Sequence, residues 1–158
     1  MKQILGSGLC ACGDCHFEVL NSSLFVHCCH CTYCQRQTGS AFALNAMVES
    51  SAIKLTKGDI ENFEVSTASG KGQKICRCSK CKTALWSHYG AAGHAIAFVR
   101  VGTLQDTDIE PDVHIYTSSK ASWVRVPENA RSFEEYYNPR EEWPEDAQAR
   151  FKVLQAKG

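Results

Sequence analysis

The chain lacks an excess of charge of either sign. Seventeen basic and seventeen acidic side chains balance over 158 residues, which removes the electropositive footprint that nucleic-acid binding by counterion release requires. No polybasic stretch is present to meet an anionic membrane surface. No run of about 18 apolar residues occurs either, so no transmembrane helix is expected. Residues 1–9 offer one lysine and a short apolar patch broken by glycine, too little for a secretory core. Leu9 before Cys10 also departs from the small residue of a lipoprotein cleavage site. The expectation is an unprocessed cytoplasmic chain with neither nucleic-acid nor membrane partners. No linker, low-complexity segment or composition break divides it, so one domain over residues 1–158 with one sizeable core is expected.

What the chain has in abundance is cysteine, ten in all. In a secreted mini-protein ten cysteines read as a disulfide framework, but this chain is too long to need staples and carries no export signal. Spacing carries the point further. Cys10-Ala11-Cys12-Gly13-Asp14-Cys15, Cys29-His30-Cys31-Thr32-Tyr33-Cys34 and Cys76-Arg77-Cys78-Ser79-Lys80-Cys81 are three copies of C-x-C-x-x-C, using nine of the ten. Thiols two or three residues apart strain a disulfide yet suit a tight turn around a metal ion.

Between the clusters the sequence reads as strands and turns. Phe42 to Val48, Ile53 to Leu55 and Phe63 to Val65 alternate, with turns at Lys57-Gly58-Asp59 and Ser69 to Gly72. Ala95 to Val101 is a near-continuous apolar run suited to a buried strand, and Val113 to Tyr116 is a short strand. Only the tail after Pro144 reads as helix, over about residues 144–156. The proline suits its first turn, Glu145 and Asp146 complement its dipole, and Ala147, Phe151 and Leu154 share the face that should dock on the core.

A structural zinc site takes four protein ligands, whereas a working site keeps one position open. If the first and third clusters each donate two thiolates, they make one closed site joining segments about 70 residues apart. The middle cluster then has three ligands and a vacancy, and Cys15, Cys28 and Cys76 are spare.

These residues carry a family resemblance. Gly8 to Gly13, the block CHCTYCQRQTGSAF from Cys29 to Phe42, and Cys78-Ser79-Lys80-Cys81 with Thr83 and Leu85-Trp86 resemble the glutathione-dependent formaldehyde-activating enzyme (GFA, or centromere protein V) family. Val101 to Leu104, His114-Ile115, Ser119-Lys120 and Trp123 resemble its C-terminal signature, so the likeness runs from about residue 8 to 126. It implies a mainly β, zinc-stapled fold with sheets of the β-tent type, completed here by the short C-terminal helix. It also implies two zinc ions: a structural one on Cys10, Cys12, Cys78 and Cys81, and a functional one on Cys29, Cys31 and Cys34. Lys82 stands where the family usually has glycine, at a place where positive φ is common. Cys15 and Cys76 lie outside the motif; an exchange of Cys76 for Cys78, or of Cys15 for Cys12, stays open beside simple burial. Cys28, next to Cys29 on a strand, should face the opposite side.

Three thiolates outweigh the charge of one zinc ion, so bound water is harder to ionise there than at a three-histidine site and a soft thiol is the better guest. A coordinated thiol ionises and can attack a carbonyl carbon. The resemblance implies the matching activity, a carbon–sulfur lyase joining glutathione and formaldehyde as S-(hydroxymethyl)glutathione, with a small thiol and a small electrophile as partners. Arg36 can offset the negative site or hold a carboxylate of the guest, against a surface ion pair. His114 is either a proton shuttle or a core histidine with a satisfied hydrogen bond. His30, between two ligands, should point away from the metal. Trp86 and Trp123 read as core or pocket-wall aromatics. Two other readings stand beside the lyase: a hydrolase of a small imine using zinc-bound water, and a non-catalytic zinc-stapled module that binds a protein.

Overall fold

The structure, a computed structural model, describes residues 2–157. Ten strands form two sheets. β1 (Ile4–Leu9), β2 (His16–Ser22) and β5 (Ile53–Lys57) make a three-stranded sheet in the order β1-β2-β5. The larger sheet has seven strands in the order β10-β3-β4-β9-β8-β7-β6: β3 (Phe25–Cys29), β4 (Ala43–Glu49), β6 (Ile60–Val65), β7 (Gln73–Cys78), β8 (Ala84–Tyr89), β9 (Ile96–Arg100) and β10 (Val113–Ile115). The named strands pair antiparallel except β10, which lies parallel to β3.

The central strands of the larger sheet, β3, β4 and β9, are buried on both faces, which accounts for the apolar run at residues 95–101. On one face Val26, Ala46, Val48, Ala97 and Val99 pack with Phe17 and Val19 of the small sheet and with Trp86. On the other, Phe25, Met47, Ile96 and Phe98 pack with Tyr137, Trp143 and Ala147 of the C-terminal segment. Alternate residues of one strand thus serve two cores. Each fully buried large side chain, such as Phe17 or Phe25 at 0% exposure, contributes about 1.5–3 kcal/mol by leaving water.

The alternating stretches and the apolar run became β4, β5, β6 and β9, with shifts of one to three residues at their ends. The helical tail is α3 (Glu145–Ala156), which docks through Ala147, Phe151 and Leu154 as its stripe implied. Arg150 fixes its outer side by donating to both Glu49 carboxylate oxygens at 2.7 Å.

Two helices were not expected. α1 (Thr32–Thr38) follows the middle cluster, and α2 (Pro139–Glu142) precedes α3. α1 buries only Cys34, so its seven residues carry no apolar period to read. Its signals are in its caps: the Cys31 side chain accepts from the Cys34 N–H, and Gly39 closes the helix at φ 64° with its N–H on the Gln35 carbonyl. Trp86 is a core residue, its ring 5.4 Å from Phe17. Trp123 corrects the expectation of a core or wall aromatic: it is 71% exposed, on an irregular stretch outside both sheets.

Candidate metal centres

The first and third clusters occupy two hairpin turns. Cys10 to Cys15 link β1 to β2, where the Cys10 N–H donates to the Cys15 carbonyl and the Gly13 N–H to Cys10. Cys78 to Thr83 link β7 to β8, with the Cys78 N–H on the Thr83 carbonyl and the Lys82 N–H on Cys78. Lys82 has φ 61°, the left-handed conformation anticipated for a position where the family has glycine.

A third turn joins the two. Gly58, at φ 79°, lies so close that a Cβ would stand 2.5 Å from the Asp14 carbonyl oxygen, which only glycine allows. The adjacent Asp59 carbonyl accepts from the Ser79 N–H and from the Cys15 thiol. Lys80 donates to Asp14 at 2.6 Å across the junction.

The sulfurs of Cys10, Cys12, Cys78 and Cys81 consequently lie within 4.8 Å of one another, and those of Cys10 and Cys12 are 3.5 Å apart. Zinc–sulfur bonds of about 2.3 Å put tetrahedral sulfurs about 3.8 Å apart, so four thiols, all free of disulfides, fit that ion. Around Cys10 burial pushes the thiol up, but the Cys15 N–H and the Cys12 and Cys78 thiols outweigh it and bring it below its usual value. The Thr83 hydroxyl and N–H hold Cys81 at about 5. Donors aimed at sulfur thus favour thiolates at Cys10 and Cys81, whereas at Cys12 the Asp14 N–H lowers the thiol less than the Cys10 and Cys81 thiols together raise it, leaving it at about 11. Cys15 bonds the Asp59 carbonyl and Cys76 the Asn62 side chain at 3.0 Å; both are buried and stand outside the group.

Cys29, Cys31 and Cys34 form a second group with sulfurs within 4.8 Å. Cys29 ends β3, Cys31 caps α1, and Cys34 sits on the buried side of that helix. Hydrogen bonds from the Cys29 and Cys34 thiols, opposed by burial but helped by the Cys34 and Tyr33 N–H groups, draw Cys31 far below its usual range. The Cys31 and Cys34 thiols, with burial, push Cys29 far up. Crowded thiols of this kind hinder one another's ionisation, a conflict that a bound cation would relieve.

The surroundings are aromatic. Tyr33 donates to Gln73 at 2.9 Å and accepts from Gln37 at 3.2 Å. Tyr89 and Tyr116 are raised first by burial and then by the thiols of this group, and Tyr136 by burial, then Tyr116 and, least, Cys29, against a hydrogen bond with Tyr137. Tyr116 sits in the left-handed region at φ 55°, held by its N–H on the Glu135 carbonyl and by Ser119 N–H and hydroxyl donors on its own carbonyl. A bulky residue kept in that conformation stores strain next to the thiols.

The sequence-based candidates distribute unevenly. Arg36 lies two residues beyond Cys34 on α1, about 200° around the helix, and its side chain is exposed. It therefore faces away from Cys34, into solvent. The cation whose field reaches Cys34, Tyr33 and Tyr89 is Arg100, which is 9% exposed and donates to Asn45 at 2.7 Å. Arg100 escaped sequence reasoning because it reads as the polar end of an apolar strand. The pairing of Asn45 with Arg100 across β4 and β9 is what aims it. His114 stands on the reverse face of the β3–β10 pair, its Nδ1 3.0 Å from His30 Nε2 and the rings stacked. His114 is thus in register with Cys28 rather than with Cys29, and His30 shares its side of the sheet.

No helix among the described residues is long and apolar enough to cross a membrane. Residues 6–119 match the family model described as glutathione-dependent formaldehyde-activating enzyme. No curated protein is significantly similar to the chain. A crystal structure of a Rhodobacter sphaeroides protein is similar, with 21% identity and a TM-score of 0.49 over 66% of this chain and 91% of that one. With the match extending over more than half its length, the chain belongs to the glutathione-dependent formaldehyde-activating enzyme family.

Proposed function

We propose that the chain is a zinc-dependent carbon–sulfur lyase of the formaldehyde-activating type, working at Cys29, Cys31 and Cys34 on a small thiol such as glutathione and a small carbonyl electrophile. The observation that carries this reading is the three-thiol group itself: three converging sulfurs with no fourth His, Cys, Asp or Glu ligand among the described residues, and tyrosines close by. When bound there, zinc supplies an open coordination position in which a soft thiol ionises.

The chain's residues do the rest. Arg100 offsets the net negative charge of three thiolates and one divalent ion without competing for the open position, being tied back by Asn45. Tyr89 and Tyr116 keep water from the sulfur, so that it is less solvated and attacks the carbonyl carbon more readily. Arg36, exposed on α1 and facing away from Cys34, can reach only a distant part of the guest; the carboxylates of glutathione extend well beyond its sulfur, and a planar guanidinium can pair with one bidentately. In the reaction the thiol sulfur forms a bond to the carbonyl carbon and the carbonyl π bond breaks. The proton released by the thiol ends on the resulting hydroxymethyl oxygen.

In the same reading Cys10, Cys12, Cys78 and Cys81 hold a second zinc that only braces the fold. Cobalt-loaded protein tests the assignment, because its visible spectrum reports the ligand set at each metal. Glutathione at millimolar concentration should change the part of the spectrum lost in Cys34→Ser and leave the remainder unaltered. An unchanged spectrum, with S-(hydroxymethyl)glutathione formed no faster than in buffer, would refute the lyase.

A further inference from the structure

The strand that ends in the functional thiols carries another set of donors on its reverse face. We infer that Cys28, His30 and His114 form a third metal site, suited to a zinc-class divalent ion. It rests on different residues from the proposed lyase site and does not depend on that reading.

The sheet's own geometry assembles it. Cys28 and His114 are register partners in the parallel β3–β10 pair, so their side chains leave the same face side by side. His30 follows Cys28 by two residues. Its N–H donates to the Ile115 carbonyl and continues the ladder, which returns its ring to the Cys28 face. Cys29 and Cys31 point to the other side by the same alternation.

Cys28 Sγ is 3.5 Å from His30 Nε2 and His30 Nε2 is 3.0 Å from His114 Nδ1, with all three atoms inside 4.8 Å. Tetrahedral zinc with bonds of about 2.3 Å to sulfur and about 2.05 Å to nitrogen requires separations of about 3.6 Å and about 3.3 Å. The observed spacings match within about 0.3 Å, as closely as the 3.5 Å Cys10–Cys12 pair matches the all-sulfur site. The three residues are 3%, 0% and 8% exposed, so water does not compete for the donors.

A plain hydrogen-bond network satisfies this group poorly. One imidazole must donate to the other, and the thiol faces the same Nε2. His30 Nδ1 is meanwhile buried with no partner and stays unpaired whichever ring nitrogen carries the hydrogen, so what favours a cation shared by Nε2, His114 and Cys28 is the spacing and burial of the three donors. Two imidazoles and one thiolate are a borderline-soft set that takes zinc or cobalt in preference to calcium or magnesium.

The test counts metal on the full-length chain grown in cobalt medium. The all-thiolate groups give intense sulfur-to-metal charge-transfer bands, whereas one sulfur with two nitrogens gives a weak band and shifted d–d transitions. The Cys34→Ser chain should hold two cobalt ions, and adding His114→Gln or Cys28→Ala should lower that to one while removing only the nitrogen-type signal. One ion in Cys34→Ser protein, or two that persist with an unchanged spectrum in the double variants, would overturn the site. Should the double variants fail to fold, the Cys34→Ser count decides alone: two ions with a nitrogen-type signal support the site and one refutes it. Glutathione binding at the triplet is read separately, so loss of the lyase reading leaves this outcome intact.

Discussion

The two all-cysteine groups differ in what the chain must do to assemble them. Cys10 and Cys12 reach Cys78 and Cys81 only after two sheets have formed and three turns have met at Gly58. Cys29, Cys31 and Cys34 come from six consecutive residues at one strand–helix junction. Metal free energy at the first group is therefore folding free energy, because it rewards closure of a long loop. At the second it is spent on a local turn whose flanks are already held by two hydrophobic clusters. A group of the first kind is fit to brace, and one of the second can keep a vacancy without endangering the fold.

The largest expected effect breaks this contrast directly. Cys81→Ser should remove most of the binding energy of an ion that ties β1–β2 to β7–β8, leaving a chain that no longer melts cooperatively at 37 °C. Cys34→Ser should keep its far-ultraviolet dichroism and lose no more than about 2 kcal/mol by denaturant titration, while its thiol binding disappears. Equal destabilisation in the two variants would show that both groups brace.

Packing behind the thiol triplet gives the next largest effect. Burial, with a smaller contribution from the Lys2 charge, lowers His27 from 6.5 to about 4, and its ring packs against Phe25, Tyr136 and Tyr137. The unfolded chain takes up this proton first, so stability is lost as pH falls from about 6.5 to about 4, by about 3 kcal/mol at most. His27→Gln should flatten that part of the pH–stability curve relative to wild type. Parallel curves would mean that the acid sensitivity lies elsewhere, in the metal groups.

Smaller effects separate the two arginines. Arg100→Met should weaken metal retention at the triplet about tenfold, in the range found when a partner next to a ligand is lost, as followed by chelator competition. Arg36→Ala should leave metal retention alone and raise the KM for glutathione several-fold. If Arg36→Ala alters retention and Arg100→Met does not, their roles are reversed.

Much of this was legible in the sequence because cysteine spacing and strand alternation are local signals. The pairing of the first and third clusters followed from ligand arithmetic, and the opposite facing of His30 and Cys28 from the period of a strand. What stayed hidden depends on residues far apart in the chain. His30 meets His114 across 84 positions through a parallel pairing that no local pattern announces. Arg100 becomes part of the triplet's surroundings only through its register with Asn45. α1 escaped for a different reason: a seven-residue helix held by a cysteine cap and a glycine stop has no apolar stripe, and missing it left Arg36 assigned as if it stood beside Cys34.

The smallest effect sharpens the bracing side of the contrast. Lys82 holds φ 61° in the turn that carries Cys78 and Cys81, a conformation that costs a residue with a Cβ roughly 1 kcal/mol. Its ammonium donates to Glu61 at 2.7 Å and to the Ser79 carbonyl at 2.6 Å, but both side chains of the ion pair are about half exposed, so the pair contributes little. Lys82→Gly removes the strain and that pair, and gives the unfolded chain more freedom at a cost of about 0.4–1 kcal/mol. These opposing quantities nearly cancel in the metal-loaded protein, where four thiolates hold the turn in either variant. Without metal the turn must hold itself, and the glycine should then be favoured, by up to about 1 kcal/mol. The measurement is a pair of thermal melts, each variant with and without a strong chelator. A gain for Lys82→Gly confined to the chelated samples would identify the strain as one that the metal group sustains, and an equal gain in both would show that the turn is held independently of metal.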